Sequence, residues 1–158
     1  MKRPWNIPDL PVYSLVTRHA EQENMNICTY VGAISMQPKL YAIAIYNGTL
    51  SLALAEQSNY AVLQLLGADQ YRLVKTLGQQ SGHTIDKISW LAKRNLLHDF
   101  EGFPVLKDNS ASLLMRKTGV VQSDGDHVLF IYRVEKSKSL HEDYLTTGLL
   151  REKGIIRA

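Results

Sequence analysis

The chain has 158 residues, 45% of them hydrophobic and 21% charged, as in an ordinary globular domain with room for a sizeable core. Its net charge of +3 is spread over scattered Lys and Arg with no long run of one sign, so nucleic acid is not demanded and a small anionic ligand suits it equally well. The single cysteine, Cys28, excludes an internal disulfide framework and a multi-cysteine zinc site, and no apolar run is long enough for a membrane span.

Residues 1–11 contain three prolines and read as an extended arm. This arm lacks the apolar segment of a secretory signal, so the cytoplasm is the expected location. Val12 to Arg18 alternates and favours a strand, and His19 to Asn24 reads as a polar turn. Ile27 to Ser35 reads as a second strand, and Met36 to Lys39 turns the chain. Leu40 to Tyr46 is nearly all apolar, the pattern of a strand covered on both faces. Asn47-Gly48 closes that strand, and residues 50–57 follow as a short helix with Thr49 or Ser51 as N-cap.

Tyr60 to Leu66 is again strand-like. A second helix begins at Asp69, with Leu73, Val74 and Leu77 on one face. Gly78 to Lys87 is a polar loop, and 88–98 contains a turn of helix. Short strands are expected at 105–106, 111–117, 119–122 and 127–135, with Ser123-Asp124-Gly125-Asp126 as a hairpin turn. Residues 137–158 form a charged tail with a few apolar anchors, set apart from a domain over 1–136. Six or seven close-spaced strands with two short helices predict a mainly β fold, a closed or split antiparallel barrel rather than a parallel βαβ winding.

The common catalytic signatures are missing: no nucleophile elbow, P-loop, zinc-protease or dinucleotide fingerprint occurs. The five histidines have no metal-ligand spacing. Cys28 lies mid-strand and reads first as a small buried hydrophobe. Gly48-Thr49-Leu50-Ser51 opens a helix with a glycine and two hydroxyls, a pattern that suits a phosphate, although a hydroxyl there is more often simply a cap. Asp86-Lys87 reads as a solvated charge pair, His127 as a strand-end residue, and Tyr30 and Trp90 as packing aromatics that are also able to stack on a ring.

In their order along the chain, these stretches resemble the flavin reductase-like family, the FMN-binding split barrels. Asn26 to Ser35 followed by Pro38 is similar to the family's flavin-cradling strand and its Ser-x-x-Pro turn. Gly48-Thr49-x-Ser51 resembles its phosphate-binding helix start, Ser81-Gly82 with Asp86-Lys87 its Ser-Gly…Asp-Lys loop, and Gly125-Asp126-His127 its Gly-Asp-His strand. The resemblance runs from about Val12 to about Glu135.

It implies an FMN-binding split β-barrel with two short helices and a C-terminal tail. The implied cofactor-binding residues are Thr29, Tyr30, Val31, Gly32, Ala33, Asn47, Gly48, Thr49, Ser51, Ser81, Gly82 and Lys87, with His127 near the flavin face as the catalytic candidate. Two positions depart from the pattern. Asn47-Gly48 stands where many members carry Arg or Lys, and Gly32-Ala33 lacks a hydroxyl.

The implied activity is hydride transfer from NAD(P)H to flavin, in which the cofactor carries the chemistry and no protein nucleophile is needed. Backbone N–H groups around Thr29 to Ala33 would stabilise the negative charge of reduced flavin. A homodimer is implied, with no nucleic-acid or membrane partner. The apolar residues of arm and tail wrap a partner subunit or fold back on their own. Two rivals stand beside the reductase: an FMN-binding electron carrier or redox sensor without nicotinamide oxidase activity, and a cofactor-free interaction module. The electron acceptor, whether free flavin, a ferric complex or a partner monooxygenase, is left open.

Overall fold

The computed structural model describes residues 1–157. Among the described residues nine strands form, in chain order β1 Tyr13–His19, β2 Gln22–Met25, β3 Val31–Ser35, β4 Leu40–Tyr46, β5 Tyr60–Leu65, β6 Leu97–Phe100, β7 Phe103–Leu106, β8 Ala111–Val121 and β9 His127–Ser139. Four short α-helices accompany them: α1 Leu50–Gln57, α2 Val74–Gln79, α3 Lys87–Ala92 and α4 Thr147–Glu152. The two expected helices are present, α2 extending a 3-10 turn over Ala68–Leu73; α3 is the helical turn expected within 88–98, and α4 in the tail is the addition.

Seven strands make one sheet in the order β2-β1-β5-β8-β9-β4-β3, every pair antiparallel, while β6 and β7 form a separate hairpin. The sheet curls without closing. Residues 26–30 cross the gap. Cys28 exchanges backbone hydrogen bonds with Tyr13 at the start of β1, and Tyr30 then accepts from Ala44 of β4. One passage of chain thus bonds to β1 and to β4, each one strand in from an edge of the sheet, which is the split of the barrel.

Two apolar clusters hold the fold. Leu15, Ile43, Ile45, Leu63, Phe130 and Tyr132 fill the barrel interior. Val16, Met25, Val62, Leu66, Leu77 and Leu91 pack outside it, beneath the helices. Strands β1 and β5 alternate between the two clusters, so they are covered on both faces. The sequence points to β4 for that role, but within one chain β4 buries only Ile43 and Ile45, and its other face stays half-exposed.

Other departures have physical reasons. The polar stretch predicted as a turn contains β2, since pairing with β1 outweighs the low strand propensity of Gln-Glu-Asn and buries Asn24 and Met25. The single strand predicted over 27–35 is instead an irregular crossing followed by β3. The tail folds back on its own chain. Leu145 and Leu150 enter the core, Thr146 bridges Pro11, and Thr147 N–H donates to Leu10.

Candidate functional site

Where residues 26–30 cross the gap, a cleft of about 560 Å3 opens between that segment, the end of β2, the end of β4, the start of α1 and the end of α2. The structure brings Thr29, Tyr30, Asn47, Gly48, Thr49, Ser51, Ser81, Gly82, Lys87 and His127 together on its walls. Val31, Gly32 and Ala33 lie on the edge strand β3, outside this lining. Trp90 faces elsewhere, with the Arg94 guanidinium 4.0 Å from its ring centre.

The local sequence explains the shape. Gly48 has φ +77°, a left-handed conformation that favours glycine and turns the chain sharply from β4 into α1. Thr49 caps the helix: its Oγ1 accepts from Leu52 N–H at 3.2 Å and donates to the Tyr46 carbonyl at 2.8 Å. That leaves the first-turn N–H groups of Leu50 and Ser51 without an intrahelical acceptor, at the positive end of the helix dipole. Ser51 is fully buried, and its Oγ accepts from Asn24 Nδ2 at 2.9 Å. Across the cleft, a Cβ on Gly82 would sit 2.6 Å from Asn24 Oδ1, so a larger residue there would have to displace the Asn24 amide from its place under the 81–86 loop. His83 fixes the same loop to the Gly48 carbonyl through Nε2 at 3.1 Å.

The electrostatics centre on Lys87. Asp86 does not pair with it; both Asp86 carboxylate oxygens are engaged with Ser89 at the start of α3. Lys87 is the first residue of that helix and only 4% exposed. Its Nζ donates to the Leu77 carbonyl at 2.6 Å, and no carboxylate pairs with it among the described residues. Burial pulls its pKa below the usual lysine range. The solvated pair expected from sequence is therefore a capping aspartate and a buried, uncompensated cation.

His127 stands between two aromatic rings, 5.1 Å from Tyr30 and 5.2 Å from Tyr46. Its Nδ1 meets Asp126 Oδ1 at 2.6 Å, which fixes the ring and leaves Nε2 free. Cys28 lines the cleft but is nearly buried, and burial pushes its thiol up to about 12, so it is no nucleophile at neutral pH.

Sequence reasoning missed Asn24, Gln79, Gln80 and Tyr46. A polar residue in a presumed turn and a pair of glutamines at a helix end carry no pattern that marks a site. Among the described residues no cluster of His, Cys, Asp and Glu is placed to hold a metal, and no helix is long and apolar enough to cross a membrane.

No curated protein matches the chain. Solved structures do. An FMN-binding protein from Thermus thermophilus, with bound 1-cyclohex-2-enone, superposes with a TM-score of 0.76 at 21% identity, over 88% of this chain and 75% of that one. The flavin reductase PheA2 superposes with a TM-score of 0.73 at 24% identity, over 88% and 85%. The NADH:FAD oxidoreductase of Streptomyces globisporus, in complex with NAD and FAD fragments, gives a TM-score of 0.73 at 14% identity, over 86% and 78%. At such identities these likenesses establish the fold. The family model of the flavin reductase like domain matches residues 9–153, reaching past Glu135 to take in the end of β9 and α4. The chain belongs to the flavin reductase-like domain family.

Proposed function

We propose that the cleft holds FMN and that the protein transfers a hydride from NAD(P)H to the flavin. Lys87 carries this reading. A buried ammonium with one carbonyl partner and no carboxylate is costly until an anion completes it. Helix α1 directs its free first-turn N–H groups to the same cleft, and Ser81 adds a hydroxyl. Together these groups fit a phosphate monoester. Lys87 also supplies the positive charge that Asn47-Gly48 lacks.

FMN, when bound, supplies the hydride-accepting ring. The chain's own residues bind and orient. Lys87 and the α1 N-terminus would hold the phosphate, with Ser51 and Asn24 bracing the floor beneath. Thr29 and Tyr30 contribute the wall formed by the crossing segment. Asp126 holds His127 through Nδ1, so Nε2 is the atom able to keep or release a proton in the cleft. The flavin reductase and the NADH:FAD oxidoreductase among the similar structures support the reading.

A second reading is an FMN-binding electron carrier or sensor that does not oxidise a nicotinamide. One observation favours it: apart from His127, Lys87 is the only basic side chain lining the cleft among the described residues, so nothing there marks the extra phosphates of a nicotinamide nucleotide.

We also infer a homodimer. Paired residues Gly32, Ala42, Ile131 and Gly119 run across four strands, and Ala44, Leu129 and Val121 run beside them. This strip of small and apolar side chains is only partly covered in one chain, and none of it is fully buried; a second copy would cover it.

The test is a visible spectrum of the desalted protein after FMN addition, repeated anaerobically with NADH and then NADPH. Retained yellow that bleaches with nucleotide is expected. Retained yellow indifferent to both nucleotides selects the carrier. Absence of any FMN binding overturns both.

A further inference from the structure

We propose that a second chamber, between the N-terminal arm and α4, binds a small planar organic carboxylate, an aromatic or conjugated acid. The chamber measures about 540 Å3 and adjoins the cleft, sharing Ile27, Thr29, Tyr30, Gly78 and Gln79 with it. That size suits a single ring-bearing molecule. This inference goes beyond the flavin reading and does not depend on it.

The walls are apolar and aromatic: Trp5, Leu10, Ile27, Val74, Leu150 and Ile156. Trp5 is 68% exposed and offers a flat surface to a ring. The charged part of the lining is cationic, from Arg151 and Arg157, beside the neutral polar side chains of Asn6, Thr29, Tyr30, Gln79 and Thr147. Arg151 is under-satisfied. Its Nε is buried with no acceptor, and its Nη1 lies 3.5 Å from Thr147 Oγ1, at the limit of a hydrogen bond. No carboxylate pairs with either arginine among the described residues. Asp9, the acid the arm brings near, feels the Arg151 charge but forms no ion pair with it: Oδ1 accepts from Gly148 N–H at 2.6 Å and from Thr147 Oγ1 at 3.1 Å.

A partly buried guanidinium fork with free donors matches a carboxylate, and apolar walls match the body behind it.

The experiment uses trans-cinnamate as probe and neutral cinnamamide as its uncharged counterpart, on the full chain, by calorimetry and by Trp5 fluorescence in a Trp90→Phe background. Saturable cinnamate binding is expected, with cinnamamide weaker by about tenfold or more. Arg151→Gln should weaken cinnamate by a similar factor, and the exposed Arg157→Gln by less. FMN titrations run in parallel should be unchanged by Arg151→Gln, because Arg151 lies outside the cleft lining. Loss of FMN binding with cinnamate binding intact would remove the flavin reading and leave this one. Equal binding of acid and amide, indifference to Arg151→Gln, or no binding would overturn it. So would two further results: Trp5 shielded from acrylamide in a concentration-dependent way, which assigns the chamber to a second copy, or displacement of cinnamate by NADH or NADPH with Arg151→Gln weakening the nucleotide alike, which assigns it to the nucleotide.

Discussion

Burial raises the Cys28 thiol from its ordinary 9.0 to about 12, and this has a thermodynamic consequence. Below that window the thiol is protonated in both folded and unfolded chains. Within it the unfolded thiol ionises while the folded one keeps its proton, so stability falls as pH rises. Tyr13, raised to about 12 chiefly by burial, acts in the same direction. Lys87 acts in the opposite one: its folded form sheds its proton first, so the penalty of burying the cation lifts as pH climbs toward the ordinary lysine range. Comparing Cys28→Ala with the parent isolates the thiol. The parent's packing advantage should be constant to pH 9 and shrink above it, measured by urea unfolding across pH. A gap independent of pH up to 11 would contradict the buried thiol.

At the scale of elements, helix α1 carries both a structural and a binding demand. Thr49→Ala removes the cap and should cost about 1 kcal/mol of unfolding free energy, with Thr49→Ser restoring it. Because the Thr49 hydroxyl is already engaged with Leu52 and Tyr46, FMN affinity should fall less than when Lys87 is changed. Unfolding and titration of the same variants separate the two effects. This region was the most legible in the sequence. Asn47-Gly48-Thr49 punctuates the chain so strongly that both the end of β4 and the whole of α1 follow from local chemistry. Strand β2 was not legible, because its residues become a strand only through β1. The tail was legible only as an alternative: Leu150 stands among apolar residues in need of cover, but nothing local says whether its own chain or a partner covers it, and Leu145 among polar neighbours has no local signature of burial. Thr49, Ser81, Lys87 and His127 could be foreseen from motif order. The burial of Lys87 and the Asn24–Ser51 contact arise from helices and loops that meet only in the folded chain.

The whole molecule leaves one face of the β3-β4-β9-β8 sheet incompletely covered. Ile34 and Met36 extend this apolar character beyond the strip, at 52% and 88% exposure. If a second copy covers the face, Ala42→Arg at its centre should convert a dimer to a monomer, read by light scattering coupled to size exclusion, while the far-UV circular dichroism is kept. A parent protein that is monomeric at micromolar concentration would remove the dimer from the account.

The central claim is that Lys87 awaits a phosphate, and the most direct measurement is a paired titration of FMN and riboflavin against the parent and Lys87→Gln. The two ligands share the ring system and differ in the phosphate. The parent should bind FMN more tightly than riboflavin. Lys87→Gln should lower FMN affinity by about tenfold or more, the scale of a charge-assisted contact, and change riboflavin affinity little. Equal losses for both ligands, or no preference for FMN in the parent, would contradict the assignment of Lys87 to the phosphate and with it the placement of the cofactor in the cleft.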